Sequence, residues 1–155
     1  MLNMPDIRQI LIVLPGLLIA LSFHEYAHAR MADYLGDDTP HYQGRLTLNP
    51  LAHIDWLGFF MLLIVRFGWA KPVQVNPLNF KGVDMRKGMM LVSLAGPGMN
   101  FVLAIVAALA MKFVYSMPHT SNTIIALTLL EPLLLYNVIL GIFNLIPVPP
   151  LDGDR

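Results

Sequence analysis

The amino-acid sequence predicts an α-helical membrane protein with three spanning helices, one re-entrant segment, and short β-strands or loops near the cytoplasmic interface. Of its 155 residues, 56% are hydrophobic and only 13% are charged, whereas soluble domains carry about 25% charged residues. So small a chain cannot bury this much apolar surface in a globular core, because surface-to-volume scaling leaves much of it outside. Four apolar stretches supply the segments that would face lipid.

The first two apolar stretches differ in length. Residues 7–35 can span a bilayer, for which a helix needs about 20 apolar residues. This run continues past residue 23 without a cleavage site, so we interpret it as a retained helix and not as a signal peptide. Residues 56–69 (WLGFFMLLIVRFGW) are too short for a comfortable crossing, and we expect them to leave the membrane on the side from which they entered.

The last two apolar stretches, residues 88–117 and 122–146, are each long enough to span the membrane. Between the first and third stretches, GRLTLNPLAHID and KPVQVNPLNFKG are rich in Gly, Pro and Asn. Alternating pieces at residues 45–48 and 72–75 predict brief strands or loops in this region. No repeat or long linker interrupts the chain, which favours one domain.

Charged residues indicate an orientation and exclude one class of partner. The formal net charge is zero, so the composition gives no electrostatic basis for nucleic-acid binding. The loop between the third and fourth stretches has only Lys112 nearby, so the positive-inside rule places the more basic central region in the cytoplasm. The fourth stretch then ends on the cytoplasmic side, as does the first if residues 56–69 re-enter. The central basic residues are Arg66, Lys71, Lys81, Arg86 and Lys87.

The pentapeptide HEYAH, residues 24–28, lies in the second half of the first predicted helix. His24 and His28 are i and i+4, so both imidazoles can reach one metal ion. Zinc with two His ligands needs a third protein ligand and keeps one position for water, whose pKa falls towards 7. Glu25 is rotated by about 100° from His24 and can take the proton of that water. Ionisable groups in or near hydrocarbon are energetically costly, so these three residues are better explained by a function than by helix packing.

Acidic candidates for the third ligand are few. Asp152 lies in NLIPVPPLDG, in which three prolines interrupt the helix and Gly153 permits a turn. A carboxylate on such a break at membrane depth is tolerated only where it lines a cavity. The orientation places it on the same side as HEYAH, so Asp152 is the predicted third ligand. The other acidic residues are interpreted as solvated helix-end charges (Asp33, Asp37, Asp38), interfacial residues (Asp55, Asp84), or too far from the cytoplasmic end (Glu131).

HEYAH on one membrane helix, combined with NLIPVPPLDG at the end of another, resembles the site-2 protease family of intramembrane zinc metalloproteases. GRLTLNPLAHID, GWAKPVQVNP and SLAGPGMN are similar to segments of its small prokaryotic members without a PDZ or CBS domain. The resemblance implies zinc held by His24, His28 and Asp152, with Glu25 as the catalytic base. It also implies that Asn144 holds the substrate backbone or the developing oxyanion. Asn100 is a further candidate for substrate binding.

The resemblance implies an enzyme that hydrolyses peptide bonds in or near transmembrane segments of membrane-protein substrates. We expect it in a prokaryotic plasma membrane, with its active site towards the cytoplasmic side and the lipid bilayer as its surroundings. Relatives continue past the LDG motif, so we expect residues 1–155 to be a single protease core truncated after it. Two alternatives stay open, a membrane metal carrier or sensor and an inactive protease-like scaffold. A carrier could keep its metal affinity after Glu25→Gln.

Overall fold

A computed structural model describes residues 6–65 and 67–146. Within these ranges the chain forms five α-helices and two short 3-10 helices, at Pro50–Ala52 and Pro77–Asn79. Four of the α-helices correspond to the four predicted apolar stretches. The α-helices are α1 (Ile7–Tyr34), α2 (Thr39–Tyr42), α3 (Trp56–Val65), α4 (Met85–Tyr115) and α5 (Ser121–Leu145).

Helices α1, α4 and α5 pack against one another as a bundle. Among the described residues, these three helices are long and apolar enough to cross a membrane, as the sequence predicts. Gly16 of α1 lies so close to α5 that a Cβ atom there would stand 2.8 Å from the backbone nitrogen of Leu133. The outer faces of the bundle expose large apolar side chains, among them Ile105, Leu109 and Ile139. Apolar exposure of this kind indicates a membrane protein.

Capping side chains explain where the long helices begin. The Asp84 carboxylate accepts a hydrogen bond from the backbone N–H of Lys87 at 2.7 Å, so α4 begins at Met85, earlier than the predicted residue 88. Thr120 and Thr123 form a reciprocal capping box at the start of α5. These boundaries are therefore set by local hydrogen bonds as well as by hydropathy.

Residues 54–70 form a hairpin that contains α3. Ile54 and Ala70 pair in an antiparallel bridge, and the backbone N–H of Lys71 donates to the carbonyl oxygen of His53 at 2.9 Å. The chain therefore enters and leaves this segment at the same place. Within the described part of the chain, α3 makes no close backbone contact with the three long helices. An apolar cavity of about 140 Å³ lies between α3 and α1.

Residues 45–48 and 72–75, expected to be brief strands or loops, form loops. Across the described ranges there is no β-strand, and the bridge of the α3 hairpin is the only β pairing. Side chains bind the carbonyl groups that a β-ladder would use. Arg45 donates to the carbonyl oxygen of Pro72 at 3.0 Å, and His53 donates to that of Thr47 at 2.7 Å. Pro72 also has no N–H to offer a neighbouring strand.

Asp37 connects the turn after α1 to the segment that precedes α4. Its carboxylate is fully buried. It accepts hydrogen bonds from the Thr39 hydroxyl at 2.6 Å, the Asn76 backbone N–H at 2.7 Å and the Asn79 amide at 2.9 Å. Burial raises the pKa of Asp37, but the hydrogen bonds together outweigh it and hold the pKa below its ordinary value. Asp37 therefore acts as an ionised structural link.

Candidate metal centre

His24 and His28 lie on the part of α1 that packs against α4, and both side chains are buried. Their Nε2 atoms are 3.0 Å apart. The two rings meet edge to face, with centroids 4.6 Å apart. The two rings lie close together because residues i and i+4 are neighbours on one face of a helix. The structure thus brings the two predicted ligand nitrogens together.

Hydrogen bonds at the opposite ring nitrogens fix the protons of this pair. Nδ1 of His28 lies 2.6 Å from the carbonyl oxygen of Val92, and Nδ1 of His24 lies 2.6 Å from Oδ1 of Asn100. Both oxygens only accept, so each Nδ1 carries a hydrogen and each neutral ring keeps a lone pair on Nε2. A cation beside two such nitrogens could be bound by both rings. The pair therefore fits a metal ion whose His ligands are oriented by oxygen acceptors.

Gly96 leaves space for the two imidazoles on the side of α4. A Cβ atom on Gly96 would stand 2.5 Å from Nε2 of His28 and 2.7 Å from Cε1 of His24. Gly98, two residues further on, faces open space. The AGPG sequence therefore allows α4 to approach the histidines closely at one specific position.

Glu25 follows His24 in α1, and its side chain is buried. Its Oε2 atom has no hydrogen-bond partner among the residues that the structure describes. Buried polar atoms are nearly always hydrogen-bonded in folded proteins. A carboxylate oxygen in this state marks a place for a water, an ion or a substrate group next to Glu25. This environment fits the predicted general base.

A buried cation lies near Glu25. Arg45 is only 2% exposed. Its guanidinium donates to Nδ1 of His53 at 3.0 Å and to the carbonyl oxygens of Lys71 at 2.6 Å and Pro72 at 3.0 Å. Burial lowers the pKa of Arg45 and the negative charge of Glu25 raises it, so the two charges interact. Arg45 thus joins the start of the loop after α2 to the segment after the α3 hairpin.

His53 is held in one neutral tautomer between Arg45 and a backbone carbonyl. Nδ1 accepts from Arg45, and Nε2 donates to the carbonyl oxygen of Thr47. Burial lowers the pKa of His53, and the charge of Arg45 lowers it further. The bond to Thr47 and the charge of Glu25 raise it, but the pKa stays below its ordinary value. His53 therefore supports the loop beside Glu25 as a neutral side chain.

The third metal ligand is not visible in the described residues. There, no group of three His, Asp or Glu side chains is arranged to bind a metal ion. Asp33 pairs with an arginine at 2.9 Å, Asp55 accepts from a backbone N–H at 3.0 Å, and Asp84 caps α4. Asp152, the predicted ligand, lies in residues 147–155, outside the described ranges. Its role stays a prediction.

The two asparagines expected near the substrate occupy different places. Asn100 of α4 is fully buried and contacts His24, so it lies beside a predicted metal ligand. Asn144 of α5 is half-buried, and its amide donates to the carbonyl oxygen of Leu140 at 2.9 Å. It lines an open groove together with Ser93 of α4. A substrate contact of either asparagine stays a prediction.

A second open groove, of about 420 Å³, lies beside His28. Pro72, Val73 and Val75 line one side of it, and Ser93 lines the other. The segment 71–76 is neither helix nor strand in the structure. The groove therefore has irregular backbone on one side, α4 on the other, and His28 in its lining.

Two residues that build the site, Arg45 and Asn137, did not stand out in the sequence. Asn137 of α5 is fully buried and contacts Asn100. The sequence feature that could have identified Asn137 is an amide inside an apolar helix. It lies on the same face as Asn144, because the two are seven residues apart. The role of Arg45 depends on backbone carbonyls from a distant segment, which no local pattern reveals.

Comparison with known proteins gives relatives for nearly the whole chain. No protein-family model matches, and no solved structure matches. The chain is 41% identical over 142 residues to "Putative zinc metalloprotease YwhC" of Bacillus subtilis, which covers 90% of this chain and 64% of that protein. It is 32% identical over 148 residues to "Putative zinc metalloprotease Rip2" of Mycolicibacterium smegmatis, covering 92% of this chain and 54% of that protein.

A third relative is similar to the same extent. The chain is 33% identical over 149 residues to "Putative zinc metalloprotease Rip2" of Mycobacterium tuberculosis, covering 91% of this chain and 54% of that protein. This chain spans less than two thirds of the length of each of these relatives. The buried His pair on a long apolar helix thus belongs to a chain whose bacterial homologues bear the name of zinc metalloproteases.

Proposed function

We propose that this chain is the core of an intramembrane zinc endopeptidase that cleaves peptide bonds in or near transmembrane segments of membrane proteins. The observation that carries the proposal is the convergence of two buried imidazole Nε2 atoms at 3.0 Å, on a helix long and apolar enough to cross a membrane. The names of the relatives support zinc and proteolysis. The site would face the cytoplasmic side of a prokaryotic plasma membrane.

His24, His28 and Asp152 would hold the metal ion. The Nδ1 hydrogen bonds of both histidines keep their Nε2 lone pairs available for it. A bound zinc ion would supply Lewis acidity at this place. Zinc sites of catalytic type have three protein ligands, and a carboxylate commonly completes a pair of histidines.

Glu25 would act as the general base and acid. Its buried Oε2 accepts a proton from the attacking water and returns it to the leaving amine of the cleaved bond. The positive charge of Arg45 interacts with the charge of Glu25. The base and a fixed buried cation would thus be contributed by two separate segments of the chain.

The α3 hairpin would enter the membrane and return. The bond between Lys71 and His53 joins its two ends, which supports a hairpin whose ends would lie on one side of the bilayer. Its apolar sequence is too short for a comfortable crossing. With this topology the His pair and the end of α5 would lie on the same side, as the proposed ligand set requires.

A transmembrane substrate helix would have to unwind before it is cleaved, because its carbonyl groups are occupied in hydrogen bonds. The groove beside His28 offers a place for the unwound segment. The backbone of residues 73–75, beyond Pro72, would pair with the substrate as an added strand. Asn144, on the neighbouring groove, would hold the substrate backbone.

Cleavage of a model membrane substrate by purified protein in liposomes tests the proposal. The substrate carries helix-destabilising residues in its transmembrane segment. We expect Glu25→Gln to lower the rate by about 10²–10⁴-fold while zinc stays bound, because the change removes the base and no ligand. His24→Ala should lose both zinc and activity. Glu131→Gln, at an exposed position of α5, is the matched control and should cleave normally.

Two results would contradict the proposal. Full cleavage by the Glu25→Gln protein would reject the mechanism. A wild-type protein that binds zinc but cleaves no substrate would favour a metal carrier, a sensor or an inactive scaffold.

A further inference from the structure

Helix α5 contributes a fully buried amide, Asn137, that has no part in the proposed ligand set. We infer that Asn137 is a positioning residue, which acts through Asn100 to hold His24 in the tautomer whose Nε2 faces His28. The inference rests on the proposed zinc site. The inference gives the face of α5 that carries Asn137 a role in metal binding, although no described ligand lies on that face.

The orientation of the Asn137 amide is set by the backbone of its own helix. Its Nδ2 lies 2.8 Å from the carbonyl oxygen of Leu133. A carbonyl oxygen only accepts, so this contact fixes the NH₂ group of Asn137 towards Leu133. Oδ1 of Asn137 is consequently turned towards α4, where it accepts a hydrogen bond from Nδ2 of Asn100 at 2.9 Å.

The Asn100 amide is then fixed by two acceptors. One hydrogen of its NH₂ group goes to Oδ1 of Asn137, and the other goes to the carbonyl oxygen of Ala20 at 3.1 Å. A flipped amide would place Oδ1 of Asn100 against both of these oxygens and lose both hydrogen bonds. Asn100 therefore presents Oδ1, and not Nδ2, to the imidazole of His24.

The proton of His24 follows from this orientation. Nδ1 lies 2.6 Å from Oδ1 of Asn100 and must donate to it, so the lone pair of the neutral ring is on Nε2. The hydrogen bonds run in one direction, from His24 of α1 through Asn100 of α4 to Asn137 and Leu133 of α5. This series of hydrogen bonds ends at the backbone carbonyl of Leu133. A carbonyl oxygen can only accept, so the direction of the series is fixed. Without Asn137, the carbonyl oxygen of Ala20 would be the one acceptor among the described residues that opposes the flip of Asn100.

Helix packing alone is the competing explanation, since buried asparagines also join membrane helices. A packing role predicts that loss of Asn137 lowers the stability of the bundle without changing His24. A positioning role predicts a change in the tautomer of His24 and in zinc affinity, and it predicts that this change depends on Asn100.

A double-mutant cycle separates these explanations. Asn137→Leu, Asn100→Leu and the double variant are purified in detergent, and zinc affinity is measured by competition with a chelator. We expect Asn137→Leu to weaken zinc binding by about 10-fold and Asn100→Leu by about 10–100-fold, as is usual for residues that orient metal ligands. The double variant should bind zinc as Asn100→Leu does, because Asn137 acts through Asn100.

The tautomer is read independently in the metal-free protein. Histidine ¹⁵N chemical shifts should show Nδ1–H for His24 in the wild type and a mixture of tautomers in Asn137→Leu. Thr128→Val is the matched control on α5, since it removes a hydroxyl that bonds within its own helix at 2.7 Å. It should change neither readout. If Asn137→Leu does not fold, Asn137→Ala gives the same comparison.

Wild-type zinc affinity and tautomer in a folded Asn137 variant would overturn the inference, even if its thermal stability falls. Additive losses in the double variant would overturn it as well. A wild-type protein that binds zinc without cleaving substrate contradicts the proposed proteolysis but leaves this inference intact, because neither readout uses activity.

Discussion

Gly96 of α4 lies directly against the imidazole of His28, so that a Cβ atom at this glycine would stand 2.5 Å from Nε2. Real Cβ atoms do not approach other atoms this closely, so any larger residue must displace the ring or the helix. The displaced nitrogen is one that the proposed zinc site uses. Gly96 therefore couples the packing of α4 to the geometry of the metal centre.

Gly96→Ala should consequently lower zinc affinity by at least tenfold and destabilise the bundle, since overpacking a core costs about 1–3 kcal/mol. Zinc competition and thermal unfolding measure the two effects. Gly98→Ala is the matched control on the same helix, where a Cβ atom meets nothing within 4 Å. It should stabilise the protein by about 0.5–1 kcal/mol, because alanine is the better helix former. Equal zinc affinities in both variants would contradict this account.

Asp152→Ala should empty the metal site. We expect one zinc per wild-type chain by elemental analysis and less than about a tenth of that in the variant, because a pair of histidines alone lacks the usual third ligand. Asp33→Ala should retain zinc, since the Asp33 carboxylate pairs with Arg30 at 2.9 Å. Retention by Asp152→Ala together with loss by Asp33→Ala would show that the predicted ligand set is wrong.

Single cysteines at Gln43 and Lys71 should be labelled from the same side of the membrane. The Gln43 amide donates to Gln74 at 2.9 Å, and Lys71 is bonded to His53, so these segments lie together. A cysteine at His119, between α4 and α5, should be labelled from the opposite side. The natural chain has no cysteine, so each variant carries one reactive thiol. Labelling of Gln43 and Lys71 from opposite sides would exclude a re-entrant hairpin.

The protein should lose stability as the pH falls below the ordinary pKa of histidine, about 6.5. The pKa of buried His53 is lowered in the folded state, chiefly by burial. Between the two pKa values the unfolded chain binds the proton and the folded chain does not, so stability present at higher pH is lost on acidification. The free energy of unfolding can fall by at most about 1.4 kcal/mol per pH unit through this one group.

Melting temperatures from about pH 7.5 to about pH 5.5 measure this effect through tryptophan fluorescence. His53→Asn, which does not titrate, should show a smaller decrease than the wild type over the same range. The other histidines are present in both proteins, so the difference reports on His53. An identical pH dependence would mean that folding leaves the pKa of His53 unchanged, and it would contradict this prediction.

Hydropathy and motif spacing predicted the helices and the meeting of His24 with His28, because both depend on residues close together in the sequence. The choice between strand and loop at residues 45–48 and 72–75 stayed open for the opposite reason, and the structure has loops there. Alternation in GRLTL describes one segment, whereas Arg45 takes its acceptors from Lys71 and Pro72, far along the chain. A pattern within one segment cannot reveal a hydrogen bond to a distant segment.

The same limit applies to the asparagines. A buried amide in an apolar helix signals a polar contact, but its partner depends on how the helices are arranged. Asn100 was expected near the substrate, and the structure places it between His24 and Asn137. The direction of that hydrogen-bond chain follows only from the backbone carbonyls at its ends, which the sequence does not display.

The bond between Lys71 and His53 closes the α3 hairpin at its base. The number of residues in the hairpin can therefore change without moving the rest of the described fold. Helices α1, α4 and α5 have no such freedom, since a one-residue insertion beside His24, Asn100 or Asn137 would rotate each partner away from the others. Residues added to or removed from the hairpin change how far it extends and leave those partners in register. Homologous proteins should therefore differ in length at this hairpin more readily than anywhere along the three long helices.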